Sequence, residues 1–164
     1  MPHETSTTDT RRAAEQQILE LIEQGKRGVA IDSAVLNALY AQLEPVSVAF
    51  MIGTWHGSLF NGQTGDGWWG KNMISADHVQ PLLFQRPDGS VYSNEVWGLA
   101  KLKLVEHAGV QTCMLVYDDK PLHDYFRRVT DDTVVGLTPG SLLGPDAPDF
   151  FFQLTRDRVT KVVD

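Results

Sequence analysis

The chain has 164 residues, 42% hydrophobic and 21% charged, with a formal net charge of −7 at pH 7 and a pI near 5.1. That length suits one domain with a proper core, and the acidic balance argues against nucleic acid or an anionic membrane surface as the main partner. No apolar run approaches the roughly 20 residues of a membrane span, the polar stretch 1–12 lacks the apolar core of a signal peptide, and the single cysteine, Cys113, excludes an internal disulfide and fits a reducing cytoplasm.

Residues 1–9 read as a disordered tail. From Thr10 to Gln24 the pattern is helical, with Ala14, Ile18, Leu21 and Ile22 on one face, Asp9 placed to cap the start and Gly25 to end it. A second short helix is expected over Ser33–Leu43, with Val35, Leu36, Leu39 and Leu43 aligned. Asp32 or Ser33 would cap it, Ile31 would act as a staple, and Pro45 lies just past its end. The helical segment is therefore 10–44, and residues 45–164 form a β-barrel that shares one structural domain with it.

After Pro45 the character changes to dense Trp, Phe, Val, Thr and Tyr with turn signals every eight to twelve residues or so, as in all-β sandwiches and barrels. Strands are expected near 50–59, 67–74, 79–85, 90–96, 99–106, 111–118, 122–129, 133–137, 149–155 and 159–163. Pro87-Asp88-Gly89, His107-Ala108-Gly109 and Thr130-Asp131-Asp132 supply turns, and 139–148 a rim loop or hinge. In 111–117 neither face is cleanly polar, so that strand is covered outside or lines a cavity inside. The helices are candidates for that cover or for a lid.

The run Gly53-Thr54-Trp55-His56-Gly57 stands out, reinforced by Gly67-Trp68-Trp69-Gly70-Lys71. A Trp between two glycines at the start of a strand suits a small barrel, where the backbone bends sharply and the indole plugs the interior. The first run resembles the signature of the GXWXG-motif proteins, a bacterial and fungal family of unknown function in which a companion domain, DUF4334, follows in the same polypeptide. The second run with Val79-Gln80-Pro81-Leu82-Leu83-Phe84, the block 114–129, and Asp149-Phe150-Phe151-Phe152-Gln153-Leu154 resemble that pair in order and spacing. The segment between Phe84 and Leu104 is shorter than the family pattern. The resemblance implies a mainly β fold: a calycin-like antiparallel β-barrel, here preceded by two short N-terminal α-helices, with a hydrophobic interior that holds small apolar ligands. It carries no enzyme activity across.

Trp55, Trp68, Trp69 and Trp97 either line a ligand cavity or fill a barrel, and filling is favoured for Trp55. Trp68 and Trp69 must face opposite ways if extended, so at most one is interior. Tyr117-Asp118-Asp119-Lys120-Pro121 reads as a turn or, with His123, as a raised-pKa acid for general acid–base work; an acid at Asp119 matches the family pattern. Arg127 and Lys71 either bind the carboxylate of a fatty or aromatic acid inside the barrel or pair with Asp119, Asp124 or Asp132 across the sheet. Alternation puts His123, Tyr125 and Arg127 on one face and Leu122, Asp124 and Phe126 on the other.

The leading expectation is non-catalytic binding of a small hydrophobic or amphipathic molecule, with Trp55, Trp69, Lys71, Tyr117, Phe126 and Arg127 as its contacts. The alternative is a cyclase- or isomerase-type enzyme using Asp119, His123, Tyr125 and Arg127. A third reading is a nitrobindin-like haem protein with His123 or His56 as axial ligand. No histidine pair has zinc spacing, and no phosphate or dinucleotide loop or nucleophile elbow is present, so no cofactor is expected under the first two readings. A homodimer is compatible with the sequence.

Overall fold

The computed structural model describes residues 7–60 and 67–164. Helix α1 (Thr7–Lys26) presents Ala14, Ile18 and Ile22 as a buried stripe at four-residue spacing. It starts earlier than expected, so Thr7–Asp9 are helical, while the rest of the expected tail lies outside the described residues. Gly25 stays helical; the stop is Gly28 at φ +87°, whose N–H bonds the Gly25 carbonyl at 2.9 Å. Helix α2 (Ser33–Tyr40) is capped by Asp32, which accepts from the Ala34 N–H at 2.9 Å. Its buried face is Leu36, Leu39 and Tyr40, whereas Val35 points outward.

The remaining chain is β, in order β1 (Glu44–Pro45), a single helical turn α3 (Val48–Met51), β2 (Gly53–Leu59), β3 (Trp68–Ser75), β4 (His78–Gln85), β5 (Val91–Ser93), β6 (Ala100–His107), β7 (Val110–Tyr117), β8 (His123–Thr130), β9 (Thr133–Thr138), β10 (Phe150–Asp157) and β11 (Val162–Val163). The ten expected strands all have counterparts. The two-residue β1, the turn α3 and a 3-10 turn at Gly140–Leu142 carry no period long enough to be read from sequence. Eight strands run β4-β3-β2-β10-β9-β8-β7-β6, every pair antiparallel, and the Val79–Ala100 pairing of β4 with β6 closes the ring. The mainly β, closed-barrel architecture is thus present. β5 and β11 form a flap off β4, and β1 pairs with β8.

The core has two layers. Inside the barrel, Trp55, Met73, Cys113, Leu115, Phe126, Val134 and Leu154 pack together. Outside it, α1 and α2 lay Ile18, Leu36 and Leu39 on Val129, Val135, Leu137 and Phe151 of β8–β10. The helices are therefore the cover that makes both faces of these strands apolar; they lie on the outer wall, with Asn37 of α2 donating to Asp149 just before β10 at 2.9 Å.

The glycine–tryptophan motif explains one end of the barrel. Gly53 takes φ +135°, a conformation open to glycine, and turns the chain from α3 into β2. Trp55 is fully buried and its indole N–H donates to the Met51 carbonyl of α3 at 2.9 Å, with the Arg156 guanidinium 4.2 Å from its ring. A Cβ at Gly57 would collide with the six-membered ring of Trp68, so the absence of a side chain seats that indole across the barrel interior.

Candidate functional site

At the end of the barrel away from Trp55, the strand ends leave a cavity of about 440 Å³. Leu59 ends β2, Trp68 begins β3, Phe84 lies near the end of β4, and Phe150 and Phe152 begin β10; Val96, Trp97, Leu122 and Leu143 join from the connecting loops. The mouth is apolar and partly open: Val96 is 70% exposed, Leu143 49% and Phe150 42%. Such a shape, mostly apolar with few converging polar groups, is that of a small-molecule site.

The polar groups lie together at its base. Lys71, from β3, is 2% exposed; its Nζ donates to the Tyr117 hydroxyl at 2.9 Å and to the Pro81 carbonyl at 3.1 Å. The same nitrogen stands 3.6 Å from Asp124 Oδ2 and 5.2 to 5.5 Å from the ring centres of Tyr117, Phe152 and Trp68. Asp124, from β8, is equally buried, and its Oδ1 accepts from the Thr138 hydroxyl of β9 at 2.7 Å. Its Oδ2 has no hydrogen-bond partner among the described residues. Burial lowers the pKa of Lys71 and the Asp124 carboxylate pulls it back up. Burial and then the Asp124 charge push Tyr117 well above the usual phenol value, so it stays a neutral hydroxyl.

Lys71 reaches the interior through an irregularity. The β3–β4 register shifts on both sides of Gly70, so Trp68 and Lys71 both face the cavity while Trp69 faces out. Strict alternation would have put Trp69 and Lys71 on the same face.

The residues expected to bind a ligand therefore divide. Lys71 and Tyr117 line the cavity together. Trp69 does not: it packs with Leu83, Val91 and Val162 outside the barrel and against the His56 ring at 4.5 Å. Trp55 and Phe126 are interior but lie in the core beneath the cavity, off its lining. Arg127 is buried on the outer wall under the helices, where it donates to the Leu43 carbonyl at 2.9 Å and lies over the Tyr40 ring at 5.0 Å. Thr138 is a lining residue the sequence did not point to; Trp68 and Trp97, two of the four tryptophans weighed for the cavity, line it although they were not among the expected contacts, and Asp124 enters as the ion-pair partner of Lys71. Alternation along β8 had already set Asp124 beside Phe126; that the apolar company of Phe126 marks the inner face was the available signal.

The expected catalytic set is not assembled. His123, Tyr125 and Arg127 do share one face, but it is the outer one, where Tyr125 stacks on His107 at 3.8 Å and meets His123 edge-on at 5.2 Å. Asp119 is exposed in the β7–β8 turn beside Gly98, and this stretch is the turn chemistry its sequence suggested, with Asp118 paired to Lys101 at 3.0 Å. Neither His56 nor His123 lines the cavity. Among the described residues no group of three His, Cys, Asp or Glu is arranged to hold a metal. Cys113 is buried inside the barrel and its thiol is pushed up to about 12 by burial. No described helix is long and apolar enough to cross a membrane.

Comparison with known proteins agrees with this geometry. Residues 38–89 match the model of the family described as GXWXG protein, and residues 98–156 match the domain of unknown function DUF4334. A crystal structure of a protein from Thermomonospora curvata is 41% identical, with a TM-score of 0.76, over 89% of this chain and 99% of that one. No curated protein matches. The two family matches together with this 41% identity place the chain: it belongs to the GXWXG–DUF4334 family.

Proposed function

We propose that this chain binds a small hydrophobic or amphipathic molecule within its barrel and does not transform it. The supporting observation is the cavity itself: about 440 Å³, walled by aromatic and aliphatic side chains, with the two charged residues among its described lining paired at the base. Its volume falls in the range of roughly 300–1,000 Å³ typical of ligand sites. The single, buried cysteine suits a reducing cytoplasm. Native mass spectrometry and solvent extraction of the recombinant protein, with titration by an environment-sensitive lipid probe, test the reading. A retained apolar molecule or saturable probe binding supports it; failure of all three refutes it.

One observation favours a second reading, a cyclase or isomerase acting on a hydrophobic molecule in the same cavity. A phenol held neutral beside an ammonium and a carboxylate in apolar surroundings is equipped to polarise a substrate oxygen by donating a hydrogen bond to it. Tyr117, Asp124 and Lys71 would carry it instead of Asp119, His123, Tyr125 and Arg127. Unchanged turnover of an identified substrate in Tyr117→Phe would sink this alternative.

A further inference from the structure

The polar groups at the base of the cavity leave a defined capacity unused. Lys71 and Asp124 cancel each other's charge, and among the described residues no other lining side chain is charged. Two of the three donors of Lys71 are engaged, by the Tyr117 hydroxyl and the Pro81 carbonyl, and at 3.6 Å its ion pair with Asp124 Oδ2 is longer than a hydrogen bond, so it balances the charge without filling that oxygen. Because the Tyr117 oxygen accepts from Lys71, the tyrosine's own proton remains to be donated; it interacts with the neighbouring Asp124 carboxylate, which helps raise the phenol's pKa, without making a hydrogen bond that fills Oδ2. Thr138 occupies Asp124 Oδ1, while Oδ2 accepts no hydrogen bond among the described residues. The indole N–H of Trp68, another lining residue, is likewise buried without a partner among the described residues, so the apolar enclosure offers two donors, Tyr117 and Trp68, against one open acceptor, Asp124 Oδ2, a set that one hydroxyl group can serve.

We propose that the cavity selects an uncharged, hydroxyl-bearing hydrophobic molecule (an alcohol, phenol or enol) whose oxygen accepts from Tyr117 and whose O–H donates a hydrogen bond to Asp124 Oδ2. The inference rests on the cavity being a binding site. A hydroxyl is donor and acceptor at once and so complements the pair. A carboxylate would accept from Tyr117 but meet Asp124 as a like charge. An ammonium would satisfy Asp124 but lie beside Lys71. Either ion also brings net charge into an apolar enclosure, where a charge costs far more than a hydrogen-bonded hydroxyl. Lys71, neutralised by Asp124, is then a support for Tyr117 and not a free anchor for a fatty-acid carboxylate.

Calorimetric titration of the full chain at neutral pH with naphthol, naphthalene, naphthoate and naphthylmethylammonium tests this. Naphthol is expected to bind about tenfold or more tightly than either charged analogue, and more tightly than naphthalene. Tyr117→Phe should narrow the preference for naphthol over naphthalene. Asp124→Asn, which strips Lys71 of its counter-charge, should shift the preference toward naphthoate by about tenfold. Circular dichroism of each variant establishes that it is folded. If naphthoate or the ammonium binds wild type as tightly as naphthol, or if Tyr117→Phe keeps the full naphthol preference, the head-group assignment is overturned while the cavity reading stands. If none of the four probes binds, both are overturned.

Discussion

Asp124→Asn isolates the buried ion pair. The amide keeps the shape of the side chain and an oxygen for Thr138, and removes only the charge that faces Lys71 at 3.6 Å. Lys71 and Asp124 are each 2% exposed, and breaking such a pair from one side costs about 3–5 kcal/mol, because the partner's charge is left uncompensated. For a chain of this size each kcal/mol lowers Tm by roughly 2–4 °C, so a fall of about 6–20 °C is expected. Lys71→Met should fall similarly. The double variant, which buries no lone charge, should be more stable than the sum of the two losses allows, by about 2 kcal/mol or more. The assay is thermal and urea denaturation of the four proteins. The sign of the pH dependence is a second readout. Burial lowers the Lys71 pKa below its usual 10.5, so between the folded value and 10.5 the unfolded chain holds more protons and stability rises with pH. Asp124 works against that lowering, so in Asp124→Asn the rise should be steeper and begin at lower pH. Additive single losses, or identical alkaline limbs, would refute the account of a mutually dependent pair.

Gly57→Ala should cost about 1–3 kcal/mol in urea denaturation and alter the tryptophan emission, since the added methyl collides with the Trp68 ring; wild-type stability would mean that this glycine does not seat the indole. Arg127→Met should destabilise by about 1.5–3 kcal/mol through loss of its bond to the Leu43 carbonyl, yet leave naphthol affinity unchanged. A clear loss of affinity in that variant would return Arg127 to the site. His107 has its pKa lowered from 6.5 by burial and then by Arg127. Its folded value lies below the unfolded one, so stability is lost as pH falls from 6.5 through the folded pKa; His107→Gln should flatten that limb of a Tm-against-pH profile, and an unchanged limb would refute the assignment.

Much of the fold was legible because it is written in short-range patterns. Alternation and turn residues located the ten strands, and the four-residue spacing of Ala14, Ile18 and Ile22 located α1. Trp55 between its glycines read as a barrel plug, and it is one. The ends of elements were less legible. Gly25 is an acceptable helical residue when the next turn still has partners, so the stop moved to Gly28. β1 is held by β8, on a partner far along the chain that no local pattern reveals.

The site was legible only in part, for the same reason. Local alternation correctly sorted β8 into two faces, but which face is inner depends on the α1–α2 cover, a contact between segments about a hundred residues apart. His123, Tyr125 and Arg127 went outward with that cover, and Asp124 inward. On β3 the bulge at Gly70 broke the alternation itself, exchanging Trp69 for Trp68 and keeping Lys71 inside. Strand periods, turns and the glycine–tryptophan plug are local properties of the chain, because backbone geometry within a few residues sets them. Only the closed barrel decided that Lys71, Tyr117, Asp124 and Thr138, from four different strands, meet at one cavity base, because their partnership exists only across the ring.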